Sequence, residues 1–204
     1  MNGRTNCNKR GINSMNIMNM NKTIIRSITL RLLKEAIASL YIQDKRNIDM
    51  RVNEMNLCAR LAHYLENRLR YYGILFEGYY VDTEYNRGVY GHMKKYVEYN
   101  DGLLHAVRCD LLIHSRGLKE QDNVLALEMK KENVDTNVTD DHDRLQNIVK
   151  PRTEDTPSEA VCDTLLGVFL EIKSSGYVLT EYWYDDNLKS TRESVNFTIS
   201  KQHN

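Results

Sequence analysis

Between Val107 and Lys131 the chain reads VRCDLLIHSRGLKEQDNVLALEMKK, two apolar runs that carry charge where a buried strand should carry none. The first run, VRCDLLIH, holds Asp110, and the second, NVLALEMKK, holds Glu128 and Lys130. An unpaired carboxylate inside a buried strand is costly enough that something must compensate it. Side chains alternate along a strand. The spacing therefore predicts Arg108, Asp110 and His114 on one face, with Val107, Cys109, Leu111 and Ile113 on the other. In the second strand Glu128 and Lys130 lie with Val124 and Ala126, opposite Leu125, Leu127 and Met129. If the charged faces pair, two carboxylates and one ammonium converge. That set can hold a divalent cation, or it can close on itself as a buried salt-bridge network.

Upstream of this pair, Thr23 to about Tyr41 has helical spacing of apolar residues and predicts a packing helix. A second helix is expected over about Val52–Tyr72. With Leu61 at zero, Leu57 and Leu65 fall about 40° to either side and Glu54 about 20° away, inside the apolar stripe. Glu54 is thus either an acid that reaches inward or one that merely complements the helix N-terminus. The segment YYVDTEYNR alternates as a strand, with Glu84 on the face away from Val81 and Arg87 just past its end. Residues 88–102 read as a hairpin or mobile loop in which Lys94 and Lys95 either meet an anion or are simply solvated.

Downstream, Thr139 or Asp140 can cap a helix that Pro151 ends, with Leu145, Ile148 and Val149 as its apolar side. TLLGVFLEI and YVLTEYWYD then read as a β-hairpin. Residues 1–21, rich in Asn and Met, are expected to be a disordered tail, and residues 189–204 a polar C-terminal tail. Residues 22–188 would form a single mixed α/β domain with a central sheet, the core running from about 52 to 184.

The 204 residues suffice for one domain with a sizeable core, and 28 Lys+Arg balance 28 Asp+Glu, so any binding face must be local. Four widely spaced cysteines, none in a CxxC pair, exclude a thiolate zinc site or a disulfide framework as the organising device. The chain shows no membrane-length apolar run and no signal-peptide pattern, so a soluble, cytoplasmic protein without a membrane partner is expected.

Mg²⁺ or Mn²⁺ takes oxygen ligands and is satisfied by one or two protein carboxylates, which Asp110 and Glu128 supply. A metal so held promotes phosphodiester hydrolysis. Lys130 is suited to positioning the attacking water, to stabilising phosphate charge, or to acting as a base if its pKa is depressed. Glu54, if it reaches inward, would complete the metal shell directly or through water. Arg108 would steady a carboxylate or meet a phosphate, His114 would touch substrate, and Arg87, Lys94 and Lys95 are further nucleic-acid contacts to consider.

Asp110, a gap of 17 residues, then Glu128-Met129-Lys130 at the end of an apolar strand, with Glu54 on a preceding helix, resembles the PD-(D/E)xK nuclease superfamily. This group includes restriction-endonuclease-like and Holliday-junction-resolvase-like proteins. The segments LCARLAHYLENRL, VDTEYNR and LLGVFLEI look like small bacterial and mobile-element members of that superfamily. The resemblance implies a restriction-endonuclease-like αβββαβ core, a mixed central sheet flanked by helices, here with an extra N-terminal helix. It implies Mg²⁺-dependent hydrolysis of nucleic acid, DNA in the first instance, with Asp110 and Glu128 as metal ligands and a backbone carbonyl ligand at Met129. Lys130 takes a catalytic role and Glu54 that of accessory acid; assembly as a homodimer is common for the fold. Cys109 departs from the motif's proline, and Arg144 stands where a lysine is expected in the following helix.

Overall fold

The computed structural model describes residues 22–87, 93–97, 103–132, 138–157, 160–184 and 190–198, the last by its backbone. The expected N-terminal tail and much of the segment 88–102 lie outside the described residues.

Helix α1 (Lys22–Gln43) buries Ile25, Leu32, Leu33, Ala36, Ile37 and Leu40 along one stripe. It packs on α3 (Glu54–Tyr71), which buries Leu57, Cys58, Leu61, Leu65 and Leu69. Asn53 starts α3 by accepting the Asn56 N–H on its side chain, which satisfies one of the donors a helix leaves open. Short helices α2 (Lys45–Asp49) and α4 (Gly73–Phe76) turn the chain at either end of this pair.

Among the described residues eight strands follow: β1 (Tyr80–Thr83), β2 (Lys95–Val97), β3 (Leu104–Ala106), β4 (Leu111–His114), β5 (Asn123–Lys131), β6 (Leu166–Lys173), β7 (Gly176–Tyr184) and β8 (Ser190–Thr198). Helix α5 (Val138–Ile148) lies between β5 and β6. The main sheet has the order β1-β4-β5-β6-β7-β8, while β2 and β3 form a separate ribbon. Every neighbouring pair is antiparallel except β5 and β6. A parallel pair needs a crossover, and α5 supplies it. The molecule is thus an α/β fold with a mixed sheet and helices on both faces.

The odd-numbered residues Leu125, Leu127 and Met129 face the α1–α3 layer together with Leu111, Ile113, Val168 and Leu170. Ala126 and Leu112 face the other layer, with Leu145 and Ile148 of α5, Val149 just past its end and Tyr96 of the ribbon. Gly167 lets α5 approach β6 closely, since a Cβ there would stand 3.2 Å from Val149 Cγ1 and 3.4 Å from the Leu145 carbonyl.

Three expectations need correction. First, the core does not begin near residue 52, because the buried stripe of α1, expected as a packing helix, belongs to the same cluster as α3 and the sheet. Second, residues 190–198, read as part of a polar tail, form β8 and pair along the whole of β7. An edge strand keeps a polar sequence, and such a sequence resembles a tail. Third, the strand expected from Val107 begins only at Leu111. Val107 and Cys109 pack with Leu112 in the α5 layer, whereas Leu111 and Ile113 face α3, so the alternation breaks at Asp110. The hairpin at β6–β7 forms as expected, with Lys173 opposite Gly176.

Candidate functional site

The break at Asp110 makes the site. The β4–β5 ladder stops at Leu111 opposite Leu127, and beyond it β5 continues alone on that side. The next two N–H groups of β5 facing that gap are met by carboxylates instead of backbone. Asp110 Oδ2 accepts from Met129 N at 2.7 Å, and Glu54 Oε1 accepts from Lys131 N at 3.2 Å. Side chains thus replace a departed strand, satisfying donors that would otherwise be orphaned. A strand residue sends N–H and C=O to the same side, so the Met129 carbonyl faces the gap beside Asp110.

On the α5 face, Glu128 is 2 % exposed and receives Arg144 Nη1 on Oε1 at 2.5 Å. Lys130 Nζ lies 3.0 Å from Asp141 Oδ2 and 3.9 Å from Glu54 Oε2. The Asp141 contact is an ion pair by charge, with no hydrogen bond aligned on that oxygen. Arg144 Nη1 also lies 3.1 Å from Asp141 Oδ1. Glu84 joins from just past β1: its N–H donates to the Asp110 carbonyl at 3.2 Å, and its φ of 51° is a left-handed conformation uncommon outside glycine.

The electrostatics follow from burial and count. Four carboxylates, Glu54, Asp110, Glu128 and Asp141, face two cations, Lys130 and Arg144, so 4 − 2 leaves two negative charges when all are ionised. Desolvation pushes Glu128 up to about 8 against the opposing pull of Arg144, with Asp110 and Asp141 adding repulsion. Asp110 is raised too, by burial first, although the Met129 N–H works the other way. Burial draws Lys130 down, yet Asp141, Glu54 and Asp110 outweigh it and hold the amine above its ordinary value. Lys130 is therefore held as an ammonium beside Asp141.

Glu54, Asp110, Glu128 and Lys130 come together as the sequence suggested. Asp141 and Arg144 were the omissions, Arg144 having been noted only as a departure. A signal existed: they precede Leu145 and Ile148 by four residues, so both share the buried side of α5.

Two expected substrate contacts fall elsewhere. His114 is fully buried, with Nε2 2.9 Å from Asp82 Oδ2, Nδ1 3.4 Å from Lys94 Nζ, and the Tyr85 ring 4.4 Å away between centroids. Lys94 is 3 % exposed and donates to Asn123 Oδ1 at 2.6 Å and Asp122 Oδ2 at 3.4 Å. Neither is a solvated group waiting for an anion; burial forced each to find partners inside. Of the remaining candidates, Arg108 is exposed just before Asp110, Arg87 is exposed and bridges Met93, and Lys95 is half-buried in β2.

The donor set suits a hard divalent cation: Asp110, Glu128 and the Met129 carbonyl offer oxygen only, and the surplus of two negative charges matches its charge. Among the described residues, no group of three or more His, Cys, Asp or Glu side chains is disposed to hold a metal. Two carboxylates and a carbonyl remain within what Mg²⁺ accepts, because it retains several waters. Also among the described residues, no helix is long and apolar enough to cross a membrane. Comparison with protein-family models, with curated proteins and with solved structures gives no match.

Proposed function

We propose that the chain is a metal-dependent nuclease that hydrolyses phosphodiester bonds in nucleic acid, DNA in the first instance, on a restriction-endonuclease-like core. The carrying observation is that four carboxylates, two of them buried, meet only two cations where β4 leaves β5, with Lys130 as an ammonium at the rim. With α4 and the β2–β3 ribbon set aside as insertions, the order α3-β1-β4-β5-α5-β6 supports the fold assignment, since it reproduces a helix, three antiparallel strands, a helix and a parallel strand. Asp110, Glu128 and the Met129 carbonyl would hold Mg²⁺ or Mn²⁺, which when bound supplies Lewis acidity to the phosphoryl group. Glu54 holds the end of β5 through Lys131 N and lies beside Lys130. Lys130, kept charged by Asp141, stabilises negative charge on the phosphate and orients the water.

One observation favours a second reading. Arg144 occupies Glu128 Oε1 at 2.5 Å, the kind of closed pair that a catalytically silent relative would keep while binding nucleic acid or a protein. Nicking of supercoiled plasmid and degradation of labelled single strands, with Mg²⁺, Mn²⁺ or EDTA, separate the two. The nuclease reading expects metal-dependent cleavage that Asp110→Ala abolishes and Lys130→Ala slows by roughly 100-fold or more. Absence of cleavage with either metal, on every substrate form, would favour the silent reading.

A further inference from the structure

The two carboxylates assigned to the cation share a pattern: the protein holds one oxygen of each and leaves the other. Asp110 Oδ2 accepts the Met129 N–H at 2.7 Å, and no described residue donates to Oδ1. Glu128 Oε1 accepts from Arg144 Nη1 at 2.5 Å, and no described residue donates to Oε2. Neither of these remaining oxygens is sealed from solvent, although the Glu128 side chain is 3 % exposed. An arginine that closes a carboxylate engages both oxygens with its planar fork. Arg116 does this to Asp82 in the same molecule, with Nε on Oδ2 and Nη2 on Oδ1, each at 2.8 Å. Arg144 takes one oxygen only.

Arg144 is itself anchored. Nη1 lies 3.1 Å from Oδ1 of the buried Asp141, one turn earlier on α5. Leu145 and Ile148 seat that helix on the sheet, and Gly167 in β6 permits its close approach. The Glu128 backbone is fixed in the parallel ladder opposite Phe169, so its side-chain torsions are the freedom that remains. Ordering a long carboxylate side chain costs free energy, which weakens cation binding unless the protein has ordered it beforehand. Partners that hydrogen-bond a ligand carboxylate from behind perform this ordering.

We propose that Arg144 is a positioning residue, which fixes Glu128 through Oε1 so that Oε2 is presented to the divalent cation beside Asp110. The proposal rests on the metal site of the nuclease reading. Charge alone predicts the opposite effect from positioning, because a guanidinium repels a divalent cation and its removal should tighten binding. The sign of the change therefore decides. Mn²⁺ is titrated into the full chain and followed by electron paramagnetic resonance, with each variant checked by circular dichroism. Arg144→Gln should weaken Mn²⁺ binding roughly 10–100-fold despite the loss of a positive charge. Arg144→Lys keeps the charge without the planar fork, and should bind at least about threefold more weakly than the native chain. Native or tighter affinity in Arg144→Gln overturns the proposal. If that variant does not fold, Arg144→Lys decides alone: native affinity, or failure to fold as well, makes the arginine structural and overturns the proposal. The underlying reading fails differently. A native chain that binds no Mn²⁺, or binds it equally in Asp110→Asn, overturns the metal site and this inference together. Binding lost in Asp110→Asn but unchanged in Arg144→Gln overturns this inference alone.

Discussion

The two ends of β4 carry buried charge of opposite kinds. At the His114 end, Asp82 and Asp122 face Lys94 and Arg116, two against two. Arg116 grips Asp82 with two hydrogen bonds of 2.8 Å, and Asp122 Oδ1 accepts from Ser115 Oγ at 2.8 Å and Gly117 N at 2.7 Å. Burial would raise both carboxyls, but their partners outweigh it and hold them below the ordinary range. At the Asp110 end the carboxylates outnumber the cations, and Asp110 and Glu128 are raised instead. Deeper burial, with the Glu128 side chain 3 % exposed against 17 % for Asp122 and 21 % for Asp82, and a shortage of cations thus act together at the raised end. A balanced cluster is complete as folded; an unbalanced one is completed by a proton or by a cation from outside.

The contrast can be broken first at the balanced end. Lys94→Met leaves Asp122 and Asn123 buried without their ammonium, and should cost about 3–5 kcal/mol in chemical denaturation. Asp110→Asn, at the unbalanced end, should leave stability unchanged or higher. A large loss there would mean that Asp110 is a structural charge like Asp122.

The next test is pH. Glu128 is raised from 4.5 to about 8, so the unfolded state loses its proton first as pH rises. Its contribution to stability is fully present below about pH 4.5 and is lost progressively up to about pH 8, at no more than about 1.4 kcal/mol per pH unit. Glu128→Gln should flatten that slope between pH 5 and 8; an unaltered slope would refute the shift. The smallest effect is expected at Arg116→Ala, where a pair exposed on the arginine side should lose less than about 1 kcal/mol.

The sequence carried the site further than it carried the surroundings. Asp110, Glu128, Lys130 and Glu54 were legible because charge inside an apolar run, or inside a helical stripe, is anomalous wherever the chain goes next. The end of the β4 ladder was not legible, since VRCD alternates as well as LLIH does and only the Asp110 side chain on Met129 N marks the change. Lys94 was misread because its partners, Asp122 and Asn123, lie 28 and 29 residues away and no local pattern links them. Asp141 was concealed in the polar run TDDHDR, where its helical phase, not its composition, is the informative feature.

Manganese binding followed by electron paramagnetic resonance, on the full chain near pH 8, addresses the surplus charge directly. The account predicts one Mn²⁺ bound per chain, displaced by Mg²⁺, lost in Asp110→Asn and in Glu128→Gln, and retained in Lys130→Ala. Absence of binding, or binding that survives both carboxylate substitutions, would contradict it and make the Asp110 end a salt-bridge network like its neighbour.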